Sequence, residues 1–304
     1  MYRRCGIIMF SLLLICQCFS VIAETNIPEA QVDRFLYGNE DNLEYSAPGL
    51  KHVDVYQYGT FGYAIDYQYD SHGRKTETLY IDSLGENNYK TLYNYSDEGL
   101  LVEVEDYSYR EGKITSRKEI EYTDDGKPKL VLDYLTPMDG AEYLCSKNEY
   151  YYDNNGVFTE VKVYDEDQLR LEGVVSADDS GVVYSITWSN PEGNPAYQQY
   201  WEYDERKEIV SYTYQSTDYN YNYFYSYNES GKLAGADYFG YEHHYSVYSY
   251  DVGGNITKRQ DYSGDDQPTS SYEYDYDLNG NLIEKRELDY SGVVLTKWVY
   301  TYSI

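Results

Sequence analysis

Tyr274, Asp275, Tyr276, Asp277, Leu278, Asn279, Gly280, Asn281, Leu282 is the stretch from which the rest of the chain can be read. Side chains alternate faces along an extended strand, so Tyr274 and Tyr276 share one side. Asp277 and Asn279 are suited to bond nearby backbone, and Gly280 supplies the positive φ of a tight turn. The frame recurs at Tyr67, Tyr69, Asp70, Gly73, at Tyr93, Tyr95, Gly99, and at Tyr150, Tyr152, Asp153, Gly156. It returns at Tyr225, Tyr227, Gly231 and at Tyr248, Tyr250, Asp251, Gly254. Degenerate copies fill the gaps: Tyr122 with Gly126, Val175 with Gly181, and Trp201, Tyr203, Asp204 with Lys207 in the glycine's place. The anchors fall about every 26 residues, and fixed-period self-similarity marks one small unit stacked many times.

Tyr, Val, Thr and Trp dominate the stretches between turns, as suits a pleated, half-buried surface. A second turn falls half a period later, at Asp82 to Gly85, Tyr109 to Gly112, Pro137 to Gly140, Asn190 to Gly193, Tyr262 to Gly264 and Tyr290 to Gly292. Each repeat is therefore two strands and two turns, and successive repeats are expected to pair as an antiparallel meander. Past the amino terminus no segment of adequate length has helical apolar periodicity. The expected fold is all-β, an antiparallel β-meander repeat array forming a coiled or partly closed β-strip, because a sheet of so many strands curls, splits or closes. Tyr300 and Tyr302 open a half-repeat with no turn after it, while Tyr56, Tyr58 and Gly62 match the spacing but crowd Gly73. After Gly280 the alternation is imperfect, with Leu282, Glu284, Arg286 and Leu288 on one side and Ile283, Lys285 and Glu287 on the other.

The run Tyr276, Asp277, Leu278, Asn279, Gly280, Asn281, Leu282 resembles the tyrosine-aspartate (YD) repeat of the RHS family, and Tyr250 to Ile256 and Tyr69 to Arg74 look like further copies. The resemblance covers residues 60–304. It implies a spiralling β-strip, which in long arrays wraps into a shell around a carboxy-terminal toxin, and a bacterial secreted or surface protein. The expectation here is a short stand-alone member without a toxin domain.

Arg3 and Arg4, an apolar run from Gly6 through Cys16, and Val21, Ile22, Ala23 read as a secretory signal peptide. The expected organisation is 1–23 signal peptide, 24–55 amino-terminal segment or degenerate cap, and 56–304 repeat array, in a secreted, periplasmic or cell-surface protein. Cys5, Cys16 and Cys18 fall in the leader, so Cys145 alone remains and no intramolecular disulfide is expected. The formal net charge is −29, from 53 acidic against 24 basic residues. Such a chain repels phosphate backbones and anionic membrane surfaces, so nucleic acid is excluded as a partner. No membrane span is expected after the leader.

Asp275, Asp277 and Asn279 with Gly280 reproduce the start of a calcium loop, but its twelfth position is Arg286 instead of a bidentate Glu. They are the metal candidates, turn chemistry already accounts for them, and no cofactor is expected. No catalytic residue is assigned: His52, His72, His243 and His244 stand without a surrounding signature, and acidic pairs are inevitable in so acidic a chain. The richest aromatic stretch holds the ligand-binding candidates Tyr219, Tyr221, Tyr223, Tyr238 and Tyr241. Aromatic faces edged with Asp, Asn and Gln can stack on sugar rings, although packing within the sheet explains most such rings. The functional expectation is a non-enzymatic repeat protein that binds a glycan or another protein at the cell surface. The alternatives are an encapsulating shell and a hydrolase. Exposed aromatics on the outer face would speak for binding, and an inward cavity for a shell.

Overall fold

The computed structural model describes residues 49–138 and 140–303. The expected signal peptide and most of the amino-terminal segment lie outside the described residues. The strands are β1 (Leu50–Gln57), β2 (Thr60–Tyr69), β3 (Lys75–Ile81), β4 (Asn87–Tyr95), β5 (Leu101–Ser108), β6 (Lys113–Tyr122) and β7 (Pro128–Leu135). They continue as β8 (Tyr143–Tyr152), β9 (Phe158–Asp165), β10 (Gln168–Ala177), β11 (Val183–Ser189), β12 (Pro195–Tyr203), β13 (Ile209–Ser216) and β14 (Asn220–Tyr227). The last are β15 (Leu233–Phe239), β16 (His243–Tyr250), β17 (Ile256–Ser263), β18 (Pro268–Tyr276), β19 (Leu282–Asp289) and β20 (Val294–Tyr302). They form one 20-stranded sheet. Each strand pairs antiparallel with its sequence neighbours, from β1 with β2 to β19 with β20.

The strip closes completely. Strand β1 pairs with β20 from His52 opposite Thr301 to Gln57 opposite Thr296. The half-repeat at Tyr300 and Tyr302 is thereby completed by the other end of the chain. Leu50 lies opposite Tyr302 as Leu282 lies opposite Tyr276, each beside a register shift. The Ser303 amide donates to the Gly49 carbonyl at 2.8 Å, as the Asp277 amide donates to that of Asn281 at 2.9 Å. Gly49 also has the left-handed φ of the turn glycines, +84°. The expected all-β antiparallel meander is thus found, and its strip is closed into a circuit because β1 is the missing second strand of the last repeat. Strand β1 runs across position 56, the expected start of the repeat array, and its first residues belong to the ring.

Antiparallel order sends all the motif turns to one end of the ring and all the others to the opposite end; these are the motif rim and the plain rim. On the motif rim the turns share one backbone build, headed by Asp in most copies and by Ser96, Thr123 or Asn228 in others. In the turn after β18, the Asp277 carbonyl accepts the Gly280 amide at 3.1 Å, while the carboxylate Oδ1 accepts the amides of Asn279 and Asn281, both at 2.8 Å. Gly280 takes φ +84°, and in the degenerate turn Lys207 takes the same region at +64°. A glycine-type bulge follows, so Asp275 faces Glu284 while Tyr276 faces Leu282. That bulge corrects the face expected after Gly280: Leu282 shares its side with Lys285, which is buried between the rings of Tyr272 and Trp298. On the plain rim, Tyr58 and Gly59 form the turn between β1 and β2, so Tyr56, Tyr58 and Gly62 are not a motif copy. The turn expected at Tyr262 to Gly264 runs from Ser263 to Asp266.

In a ring one strand thick, large side chains can be covered only on the concave side. The first tyrosine of each frame lies there: Tyr67, Tyr150, Tyr225, Tyr274 and Tyr300 are buried, as is Trp201. With Leu101, Phe158, Val183, Ile209, Leu233 and Leu282 they form an apolar band inside the motif end. The convex wall is charged instead. Lys90 pairs with Glu77 at 3.1 Å, Lys162 with Glu160 at 2.9 Å, and Arg286 with Glu273 at 3.1 Å.

Candidate functional site

The aromatic stretch from Tyr219 to Tyr250 is divided between the two walls by strand alternation. On the concave side, Trp188 of β11, Tyr197 of β12, Tyr214 of β13 and Tyr221 of β14 form a stacked row across four strands. Ring centroids are 5.4, 5.1 and 4.9 Å apart with interplanar angles of 26°, 28° and 7°. Tyr223 and Tyr238 continue it at 4.8 Å, and Tyr238 lies 4.4 Å from His244. Trp188 Nε1 donates to Gln199 Oε1 at 2.7 Å, and Gln199 Nε2 donates to the Tyr212 hydroxyl at 3.0 Å. Cross-strand stacking turns the faces of Tyr214 and Tyr221 toward neighbouring rings, so a sugar would meet edges and hydroxyls there.

Of the ligand candidates, Tyr221, Tyr223 and Tyr238 are thus brought together. Tyr219 joins them through hydroxyl contact with Tyr238 at 2.9 Å. Tyr241 is not part of the group: β15 ends at Phe239, and Tyr241 projects from the tip of the next turn, 91% exposed. Asp275, Asp277 and Asn279 do not converge either. Asp275 pairs with Arg286 at 3.0 Å on the convex wall, and Asp277 is occupied by the turn amides and by Asn281 Nδ2. Cys145 is half-buried on β8.

The convex side of β14 to β17 carries the residues that the tyrosine count passed over. Phe224 lies opposite Asp237, and Phe239 lies opposite Asn222 on one strand and His243 on the other. Phe224 and Phe239 meet edge to face at 5.8 Å, and Phe239 stacks on His243 at 4.2 Å and 11°. Tyr245 stacks on Tyr262 at 4.8 Å. Phe224, Phe239 and Val247 stay exposed, at 48%, 41% and 43%. Hydrogen-bonding groups edge the patch: Asp237 Oδ1 lies 2.7 Å from His243 Nε2, and the Tyr245 hydroxyl donates to Asp266 Oδ1 at 2.8 Å. That bond, with burial and the carboxylate charge behind it, pushes the Tyr245 phenol up to about 12. The signal was present in the sequence as parity: Phe224 breaks the odd-numbered run of Tyr219 to Tyr227 and so must face the other way.

Fold and surface together define a closed antiparallel repeat ring with an apolar inner band, ion pairs on the outer wall and an exposed aromatic patch on β14 to β17. No family model and no curated protein matches the chain. Among solved structures, the chain is similar to a chain of TcdB2-TccC3, at 11% identity over 79% of this chain and 18% of that one, with TM-score 0.31. It is similar to a chain of the Photorhabdus luminescens Tc holotoxin pore, at 11% identity over 78% and 18%, TM-score 0.32. A porin-like protein from Bacteroides uniformis matches at 11% identity over 84% of this chain and 98% of that one, TM-score 0.37. The chain spans 18% of the length of the TcdB2-TccC3 and holotoxin chains.

Proposed function

We propose that the chain is an exported, non-catalytic YD-type repeat protein that binds a surface glycan or protein through the convex aromatic patch of β14 to β17. The observation that carries this reading is the exposure of Phe224 and Phe239 in mutual contact, with Phe239 stacked on His243, beside Asp237 and Asn222 on the convex wall. Contiguous exposed apolar surface on a soluble fold is uncommon enough to mark an interaction site. The charged convex wall supports a ring surrounded by water, since such side chains are costly against hydrocarbon. A hydrolase would need converging carboxylates with raised pKa values. Burial, with the Glu103 charge, pushes up the Glu105 carboxyl, but Glu105 pairs in register with Arg117 on the convex wall and faces no cleft. The second reading, an encapsulating ring, draws support from the closure of β1 on β20.

The test is retention of the wild-type chain and the double variant Phe224→Ser/Phe239→Ser on immobilised glycans and cell-wall fragments. Loss of about tenfold or more with an unchanged circular dichroism spectrum is expected, the scale of aromatic anchors at an interface. Equal retention of both proteins would reject the patch. A wild-type chain retained by nothing would reject glycans and favour the encapsulating ring.

A further inference from the structure

The two rims differ in chemistry. Five adjacent hairpin tips on the plain rim, counted around the ring through the β20–β1 seam, each present a large apolar side chain: Tyr290 with Val293, Tyr58, Leu84, Tyr109 and Met138. Tyr58, Leu84, Met138 and Tyr290 are 75 to 78 or 83% exposed, although each sits in a turn where a polar residue would serve the backbone equally well. The tips on the other half of this rim are acidic, with Glu166, Glu192, Asp218, Glu242 and Asp266 and with no lysine or arginine among them; Tyr219 and Tyr241 are the exposed rings on that side. An apolar crescent thus completes its circle with an acidic one. The motif rim has no such division. Asp and Asn side chains bond turn amides on both rims, as Asp277 and Asp251 do on the motif rim and Asp82 and Asp289 on the plain one, but among the described residues the exposed large apolar tips of the motif rim are Val252 and Leu278 alone.

We infer that the plain rim is a docking surface for a protein that presents an apolar patch beside a cluster of lysine and arginine. The apolar half supplies contact area, and the acidic half supplies orientation and a faster encounter with a cationic partner. A second copy of this chain is a poor occupant, because each carries a net charge of −29. An anionic bilayer is disfavoured on the same ground. The inference goes beyond the binding role proposed above, since it uses a different surface from Phe224 and Phe239.

The experiment measures binding of the full chain to a labelled amphipathic helical peptide of leucine and lysine, with a leucine and glutamate analogue as comparison. Wild type is expected to bind the lysine peptide and not the analogue. Leu84→Ser/Met138→Ser/Tyr290→Ser and Glu192→Gln/Asp218→Asn/Glu242→Gln should each weaken binding at least tenfold, the second also flattening its salt dependence, while Leu278→Ser on the motif rim changes nothing. The inference is overturned if wild type does not bind the peptide, if the apolar triple variant binds it as wild type does, or if wild type associates equally with neutral phosphatidylcholine vesicles. Phe224→Ser/Phe239→Ser should bind the peptide normally. A loss there would assign the binding to the convex patch and overturn the rim.

Discussion

In seven frames the second tyrosine has a task that phenylalanine could not perform. Its hydroxyl donates to a backbone carbonyl two residues beyond the turn position of the preceding repeat. Tyr95 reaches Lys75, Tyr122 reaches Leu101, Tyr152 reaches Pro128 and Tyr203 reaches Val183, at 2.7 to 2.9 Å. Tyr227, Tyr250 and Tyr302 repeat the bond to Ile209, Leu233 and Leu282. Burial pushes the phenols of Tyr152, Tyr203 and Tyr227 well above the ordinary tyrosine range, as for groups held neutral inside a wall. Tyr203→Phe is therefore expected to lower stability by about 1 kcal/mol, the net worth of one hydrogen bond, with the urea midpoint as readout and an unchanged midpoint as refutation. Gly173 shows the opposite economy of space. It stands two residues before Val175, which takes the place of the first tyrosine in this repeat, and an added Cβ would come 2.8 Å from Val161 Cγ1 and 3.1 Å from Ile186 Cγ2 and Trp188 Cε3. Gly173→Ala should cost about 1 to 3 kcal/mol through overpacking, measured by the same unfolding curve.

At the scale of the element, the motif hairpin is a turn, a bulge and a carboxylate acting together. The bulge switches which residues of the second strand face inward, and the carboxylate fixes the turn from which the bulge follows. In the turns headed by Asp153 and Asp204, the amide of Val157 in the first and of Glu208 in the second leads a set of hydrogen bonds that hold the carboxyl below its usual range. Groups with a lowered folded pKa add stability that is present above the unfolded value, about 4, and lost as pH falls through the folded value. Acidification below about pH 4 should therefore lower the urea midpoint. Asp153→Asn/Asp204→Asn keeps an acceptor at both turns but removes their titration, so its midpoint should fall less over the same interval. Parallel curves for the two proteins would show that these turns do not contribute.

For the whole molecule, the decisive contact is that of β1 with β20. It gives every strand two partners, and a closed sheet has no edge to offer another chain. Deleting residues 294–304 would leave β1 and β19 each with one open edge and take Tyr300 out of the apolar band. Such a chain is expected to associate or lose cooperative unfolding, read by size-exclusion chromatography with light scattering and by the unfolding curve. A monomeric, cooperatively folded truncation would mean that the ring does not depend on its seam.

The sequence by itself determined the unit: tyrosines two apart, a short polar turn ending in a left-handed residue, and a period that persists in degenerate form through Lys207. These are local properties, set by strand alternation and by the φ that a turn position demands, and a local pattern survives reading one residue at a time. Only the tertiary structure decided that the strip closes, because the half-repeat at Tyr300 and Tyr302 is completed by residues some 250 positions earlier, opposite it only once the ring has formed; Ser303 and Gly49 are 254 residues apart. It also decided which aromatics are structural and which are exposed. The count of tyrosines pointed to Tyr219, Tyr221, Tyr223, Tyr238 and Tyr241, whereas burial depends on wall curvature and on neighbours across the strands, which left Phe224 and Phe239 outside and turned the faces of Tyr214 and Tyr221 toward one another.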